Sequence, residues 1–339
     1  MRSQAANMML RAVLPVTIGL AVTAWLFYDD FTAGNFGSFT FTWRVAAGIA
    51  LAWLFMAGRD FGLAWRFHTI AWPTLSWRRA WRVDYMCAFT SAVTPSAVGG
   101  SAFAIFYLNR EGVQLGRATT MTLTTLFLDE MFFVVFCPII MLLIPTDQLF
   151  SSGADDTFMD GIQVVFWLVY AGIVIWAAIL FTGIIVRPYF VSTAIKRMFM
   201  WRWLRRWRRG AFETADNIVA ASRDLRTCTR RWWLNVFGAT VVSWFSRYLI
   251  VNAIFWAFVP GASGVLVFAR QFVVWVVLMV SPTPGGSGIS EWLFTKYYGD
   301  LIGDTGLALV MALTWRIVSY YVYLIIGSFL IPGYFKSKN

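Results

Sequence analysis

The chain has 339 residues, of which 59% are hydrophobic and only 13% are charged. A soluble domain carries about 25% charged residues, so the composition argues against a soluble enzyme or a disordered protein and favours a polytopic membrane protein. The net charge of +11 is expected where cytoplasmic loops face anionic lipid.

Six apolar runs are long enough to cross a bilayer. We predict transmembrane helices at about 12–28, 43–58, 118–144, 162–186, 232–259 and 305–331. The loops between them differ in charge. Those at 29–42, 145–161 and 299–304 contain Asp but no Lys or Arg, whereas most basic residues lie in the N-terminus, in 59–82, 110–117 and 187–231, and in the tail. The positive-inside rule then predicts a multi-pass protein of the cell inner membrane with both termini in the cytoplasm.

Two further apolar stretches, at about 84–109 and 265–298, are interrupted by Pro and Gly. The first interruption runs from Thr94 to Ser101 and the second from Ser281 to Gly288. Each half-helix has about 10–15 residues and reaches only the middle of a bilayer. The loop charges require each stretch to enter and leave on one side. We therefore predict two re-entrant helical hairpins, one opening to the cytoplasm and one to the outside.

The two interruptions resemble each other, since both combine Thr-Pro with Gly-Gly and both precede a full span. This predicts an all-α fold with an inverted repeat, in a single membrane domain over 1–339 with repeat 1 at about 43–144 and repeat 2 at about 162–331. Half-helix N-termini near Ser101 and Gly288 would direct positive dipole ends to the middle of the bilayer. The alternative is that Pro and Gly merely kink ordinary spans.

Five ionisable residues fall within predicted membrane segments, namely Asp129, Glu130, Arg247, Glu291 and Arg316. A charge at the bilayer centre costs about 2.5–3.5 kcal/mol on insertion scales, so each needs a partner or water. Helical spacing groups three of them with polar residues, which are Thr122 and Thr125 beside Asp129, Thr240 and Ser243 beside Arg247, and Tyr320 and Tyr323 beside Arg316. These polar faces are expected to line a cavity.

Two interpretations of these charges stay open. In one, Asp129 or Glu130 pairs with Arg247 or Arg316 and locks helices together. In the other, the arginines bind an anionic headgroup bidentately while the carboxylates gate or carry protons. The candidate substrate-binding residues are Arg247, Arg316, Asp129, Glu130, Glu291, Tyr320, Thr94, Ser101 and Ser287, and the break residues are Pro95, Gly99, Gly100, Pro284, Gly285, Gly286 and Gly288.

The segment 187–231 is basic and rich in Trp, and we predict that it is a cytoplasmic amphipathic segment. Within it, 196–210 has the spacing of one amphipathic helix lying on anionic lipid. Because it is tethered between spans, we expect no nucleic-acid partner. Arg270, near the outer end of its half-helix, is expected to extend to the membrane interface.

Motifs for other functions are missing from the sequence. It has no nucleotide-binding G-x-x-x-x-G-K-[ST] loop, one histidine and three scattered cysteines. We therefore expect no enzyme activity, no cofactor and no metal site. An oligomer is possible.

Several motifs together resemble the flippase-like integral membrane family that forms the membrane region of lysylphosphatidylglycerol synthases and also occurs as stand-alone proteins. The matching residues are Thr94-Pro95-Ser96-Ala97-Val98-Gly99-Gly100, Leu108-Asn109-Arg110-Glu111-Gly112-Val113, Asp129, Pro284-Gly285-Gly286-Ser287-Gly288-Ile289-Ser290-Glu291, Trp315-Arg316 and Tyr320.

The resemblance implies translocation of a lipid across the bilayer, with an anionic or modified phospholipid, or a lipid-linked headgroup, crossing through a polar groove. Membrane lipids are then the expected partners. Two alternatives are a carrier or channel for a small soluble anion and a non-transporting scaffold for a lipid-modifying enzyme.

Overall fold

A computed structural model describes residues 42–94, 99–150, 156–201, 203, 206, 208–283 and 285–336. Within these ranges the chain is predominantly helical and contains no strand. The helices in chain order are α1 (Trp43–Ile70), α2 (Trp77–Val93), α3 (Gly99–Arg110), α4 (Leu115–Leu143), α5 (Thr146–Phe150), α6 (Asp156–Phe181), α7 (Pro188–Met198), α8 (Arg208–Thr227), α9 (Arg230–Phe258), α10 (Gly264–Leu278), α11 (Ile289–Tyr297), α12 (Gly299–Ile302), α13 (Thr305–Arg316) and α14 (Val322–Lys336). Two π-helical turns, Thr182–Val186 and Ile317–Tyr321, follow α6 and α13.

Five helical segments are long and apolar enough to cross a membrane. They are Trp43–Ile70, Leu115–Leu143, Thr157–Phe181, Arg230–Phe258 and Thr305–Gly327. Each corresponds to a predicted span, and the sixth, predicted at 12–28, lies outside the described residues. The chain is therefore an all-α polytopic membrane protein.

The first of these helices is longer than the sequence suggests. The predicted span ends at residue 58, but α1 continues to Ile70. The reason is that Arg59, Asp60 and Arg66, which look like loop charges in the sequence, are buried among neighbouring helices and find partners there. Residues 59–70, the first part of the basic segment 59–82, therefore belong to helix α1 and not to a loop.

Both predicted interruptions occur. Helix α2 ends at Val93 and α3 begins at Gly99, while α10 ends at Leu278 and α11 begins at Ile289. Helices α2 and α3 pack together, with the Thr90 and Tyr107 hydroxyls 2.7 Å apart. The order of long helix, short helix, break, short helix and long helix occurs in α1–α4. It occurs again in α9–α14, where the four-residue helix α12 precedes the last long segment, Thr305–Gly327.

The long helices α1 and α9 pack at unusually short range. A Cβ added to Gly48 would lie 2.5 Å from Ala257 Cβ, and one added to Gly62 would lie 2.7 Å from the backbone nitrogen of Ser243. Small residues at such contacts allow membrane helices to approach closely. This pair joins the two halves of the described chain.

The single helix predicted over 196–210 is wrong. Helix α7 ends at Met198 and α8 begins at Arg208, and the described residues between them are not α-helical. Side chains from this stretch are nevertheless exposed, with Trp201 and Trp203 at 73% and 89%. Since exposed Trp side chains suit a membrane interface, the break leaves the surface character of this segment intact.

Candidate functional site

The two interruptions contact each other. The Gly285 backbone N–H donates to the Thr94 carbonyl at 3.3 Å, and the Tyr320 hydroxyl donates to the Ala92 carbonyl at 3.0 Å. Gly285 has φ +55°, and any Cβ there would overlap the Tyr320 ring. Only glycine meets both conditions, which explains this residue of the second motif.

Beside this contact lies a cavity of about 350 Å³, which is the size of a small-molecule pocket. Helices α1, α2, α3, α4, α9, α10, α13 and α14, the π-helical turn Ile317–Tyr321 and the second interruption contribute to its wall. Its charged lining residues are Arg59, Arg66, Asp84, Asp129, Glu130, Arg247 and Arg316.

Arg316 is held by a buried network at the second interruption. Its Nε donates to Glu291 Oε1 at 3.0 Å, and one Nη donates to the Gly285 carbonyl at 3.0 Å. Glu291 is fully buried, and its other oxygen accepts from the Gly288 backbone at 2.8 Å and from Ser290 Oγ at 2.7 Å. The guanidinium also lies over the Tyr320 ring, 3.9 Å from its centroid. This network fixes the break geometry.

Asp129 is paired with an arginine that the sequence interpretation placed in a loop. Arg66 donates to both carboxylate oxygens of Asp129, at 2.6 and 3.1 Å, and Trp244 Nε1 donates at 2.8 Å. One of the two interpretations of these charges paired Asp129 or Glu130 with Arg247 or Arg316, and no such ion pair occurs among the described residues. Asp129 keeps 26% of its side chain exposed and so still faces the cavity.

A third arginine is held by its neighbour in the chain. Arg59 donates to Asp60 at 2.6 Å and to the Tyr323 hydroxyl at 2.5 Å, and that hydroxyl in turn donates to Asp60 at 2.5 Å. All three residues are buried.

Arg247 differs from the other three. Its guanidinium lies between two rings, 4.6 Å from the centroid of Trp244 and 4.5 Å from that of Trp275. Among the described residues, no carboxylate is within ion-pair distance of it. Stacking between indoles orients the guanidinium and leaves its N–H groups available, which is the arrangement needed to bind a phosphate or carboxylate bidentately.

Two carboxyl groups in the wall have incomplete partners. Asp84 Oδ2 and Glu130 Oε2 are buried and accept no hydrogen bond from the described part of the chain. The cavity thus holds one cation and two carboxyl groups that are not fully engaged by protein.

The structure brings most of the predicted site residues together. Arg247, Arg316, Asp129, Glu130, Tyr320, Gly285 and Gly286 line the cavity. Behind that wall are Glu291, Ser287 and Gly288, while Thr94 accepts the hydrogen bond that joins the breaks. Gly99, Gly100 and Ser101 begin α3, and Pro95 and Pro284 lie outside the described residues.

Sequence reasoning missed Arg59, Asp60, Arg66 and Asp84 as part of the site, whereas Tyr323 lies on a polar face that was expected to line a cavity. The signal was available in α1, where no Pro or Gly-Pro pair separates the apolar run from the charges that follow. Arg270 is a second correction, because it is 1% exposed and is therefore enclosed by protein instead of extending outward. It donates to both oxygens of Asp300, at 2.6 and 2.8 Å.

Long apolar helices around a charged internal cavity define the chain as a multi-pass membrane protein. It belongs to the family described as the lysylphosphatidylglycerol synthase TM region, whose model matches residues 12–327. The chain is also similar to a UPF0104 membrane protein of Archaeoglobus fulgidus, with 22% identity over 334 residues that cover 93% of this chain and 94% of the relative. No solved structure matches it significantly.

Proposed function

We propose that the protein moves the polar headgroup of an anionic or modified phospholipid, or of a lipid-linked compound, across the membrane through this cavity. The acyl or prenyl chains stay in the bilayer while the headgroup passes the polar wall. The two interruptions act as opposed re-entrant hairpins, and each gives access to the cavity from one side. On this proposal membrane lipid is the partner, and the protein is not an enzyme.

The observation that carries the proposal is the state of Arg247. A guanidinium within a membrane segment and without a carboxylate partner is costly, and such residues mark substrate pathways. The other three cavity arginines are engaged by Asp60, Asp129 and Glu291. Arg247 is therefore the group that supports binding of an anionic headgroup, and its two Trp neighbours hold it in place.

Replacing Arg247 tests this proposal. Arg247→Gln should reduce transfer of fluorescent phosphatidylglycerol between leaflets of proteoliposomes by about tenfold or more, because the buried charge-assisted bonds are lost. Arg247→Lys should recover little, since an ammonium cannot make the bidentate contact. Dithionite quenching of the outer-leaflet fluorophore measures transfer.

The chain offers a matched control in Arg44. It too lies over an indole, 5.2 Å from the Trp256 centroid, and donates to the Trp256 carbonyl at 2.7 Å, but it is outside the cavity. Arg44→Gln should leave transfer close to wild type. Equal loss in both variants would contradict a role for Arg247 in binding, and uptake of a soluble phosphate ester without lipid transfer would favour an anion carrier.

A further inference from the structure

Asp84 is the acidic counterpart of Arg247 in the same cavity. It is 2% exposed and lines the cavity, and its Oδ2 has no hydrogen-bond partner among the described residues. It also belongs to none of the ion pairs in that part of the chain. Since Arg59, Arg66 and Arg316 are engaged elsewhere, none of them balances Asp84 directly.

Asp84 has charged and titratable groups around it, contributed by the helices near α2. They include carboxyl, guanidinium, phenol and thiol groups from α1, α3, α9, α14 and α2 itself. Those that interact with Asp84 are Arg59, Asp60, Arg66, Arg247, Tyr323, Tyr85 and Cys87. From α3, Tyr107 interacts with Cys87. Asp60 adds a second negative charge near Asp84. An anion that enters the cavity adds a third negative charge and makes an ionised Asp84 less favourable.

A headgroup bound at Arg247 is such an anion. Its phosphate would share a poorly polarisable space with the Asp84 carboxylate, where like charges repel strongly. A proton on Asp84 removes that repulsion, and the free oxygen can receive it. We infer that Asp84 is a proton-binding residue through which the cavity takes up one proton with each anionic headgroup, an inference that rests on the proposed function.

The step balances without any further reactant. Water on the loading side supplies the proton, which bonds to an oxygen of the Asp84 carboxylate. The same proton leaves to water on the other side when the headgroup is released. A singly charged phosphate and one proton together carry no net charge, so the loaded cavity crosses without moving charge. Because linkage is reciprocal, each of the two ligands favours binding of the other.

Proteoliposomes containing fluorescent phosphatidylglycerol separate this mechanism from simple anion movement. With one proton per lipid, a gradient of one pH unit should give about a tenfold ratio of labelled lipid between the leaflets, with lipid moving in the direction of the proton. A membrane potential set with potassium and valinomycin should have no effect, since no charge moves.

Asp84→Asn should abolish the pH-driven ratio and make the distribution respond to the potential, because the anion then crosses alone. Asp160→Asn, which changes an exposed carboxyl outside the cavity, is the control and should keep the pH response. Coupling kept in Asp84→Asn, or lost in Asp160→Asn as well, would overturn the inference. Wild-type transfer that ignores the pH gradient would do the same while leaving the proposed function standing. No transfer at all would contradict both.

A second measurement covers the case in which Asp84→Asn does not fold. Wild-type protein in weakly buffered detergent should take up about one proton per phosphatidylglycerol bound, as shown by a pH-sensitive dye. Asp84→Glu should still take up a proton, and Arg247→Gln, which cannot hold the phosphate, should not. Lipid binding without proton uptake by the wild type would overturn the inference.

Discussion

At the residue scale, four arginines of one cavity divide into two kinds. Arg59, Arg66 and Arg316 each have a carboxylate within 3.0 Å, whereas Arg247 has two indole rings. Two of these ion pairs, Arg66–Asp129 and Arg316–Glu291, join different helices. The second kind of environment stabilises a cation while leaving its hydrogen-bonding capacity to a ligand. Arginine therefore occurs in this cavity in two environments, paired with a carboxylate or stacked between indole rings.

The Arg316–Glu291 pair should be a strong contributor to stability. Glu291→Gln leaves the buried guanidinium without its counter-charge, which should lower the free energy of unfolding by about 3–5 kcal/mol. Thermal denaturation in detergent measures the change. The exposed pair Lys196–Asp216, whose side chains are 33% and 67% exposed, is the comparison. Asp216→Asn should cost only about 0–1 kcal/mol, and equal effects would contradict a structural role for Glu291.

The site was only partly predictable at this scale. Asp129, Arg247, Glu291 and Arg316 stand out because a charge within an apolar run is rare in the sequence. Arg59 and Arg66 did not, because they follow the run rather than interrupt it, and a charge at a helix end resembles a cytoplasmic loop. Pairing depends on which helices pack together, and no local pattern encodes that.

At the element scale, the contact between α1 and α9 depends on missing side chains. A Cβ on Gly62 would lie 2.7 Å from the Ser243 nitrogen and 2.8 Å from the Ala239 carbonyl oxygen, both of them backbone atoms. Backbone cannot rotate away as a side chain can. The separation of α1 and α9 is therefore set at this glycine, and with it the position of Arg66 relative to Asp129.

Gly62→Ala should consequently destabilise the protein, by about 1–3 kcal/mol, because the two helices must separate to admit the methyl group. Gly172 of α6 provides the control, because its replacement by Ala should change the stability in the opposite direction. It has no atom within 4 Å of an added Cβ, so Gly172→Ala should stabilise its helix by up to about 1 kcal/mol. Melting temperatures of both variants in one detergent check this. A Gly62→Ala protein as stable as wild type would show that the helices are not in contact there.

The elements themselves were largely predictable. Apolar runs located five long helices, and Pro-Gly clusters located both interruptions, because backbone chemistry is local. The prediction of one helix over 196–210 was wrong, although the residue pattern behind it is present in the sequence. Its alternation of Arg and Trp suits a lipid surface whether or not the backbone is one continuous helix, so the pattern indicates the environment but not the break after Met198.

At the scale of the whole molecule, loop charge predicts the orientation in the membrane. Asp160, at the start of α6, and Glu213, in α8, are both exposed and should lie on opposite faces. In a background lacking Cys87, Cys137 and Cys228, Asp160→Cys should react with an impermeant maleimide on intact cells, and Glu213→Cys only in inverted vesicles. Ala253→Cys, which is buried, should react in neither. Labelling of the first two from one face would contradict the proposed topology.

The buried pairs also constrain how the chain can be assembled during synthesis. Arg66 and its partner Asp129 are 63 residues apart, so the carboxylate does not yet exist when α1 leaves the ribosome. Entering lipid alone, this arginine would cost about 2.5–3.5 kcal/mol. Arg59 has its partner beside it and enters without waiting. We therefore expect the second half of α1 to stay at the insertion machinery until α4 emerges, so that α1 to α4 enter the bilayer as one group rather than helix by helix.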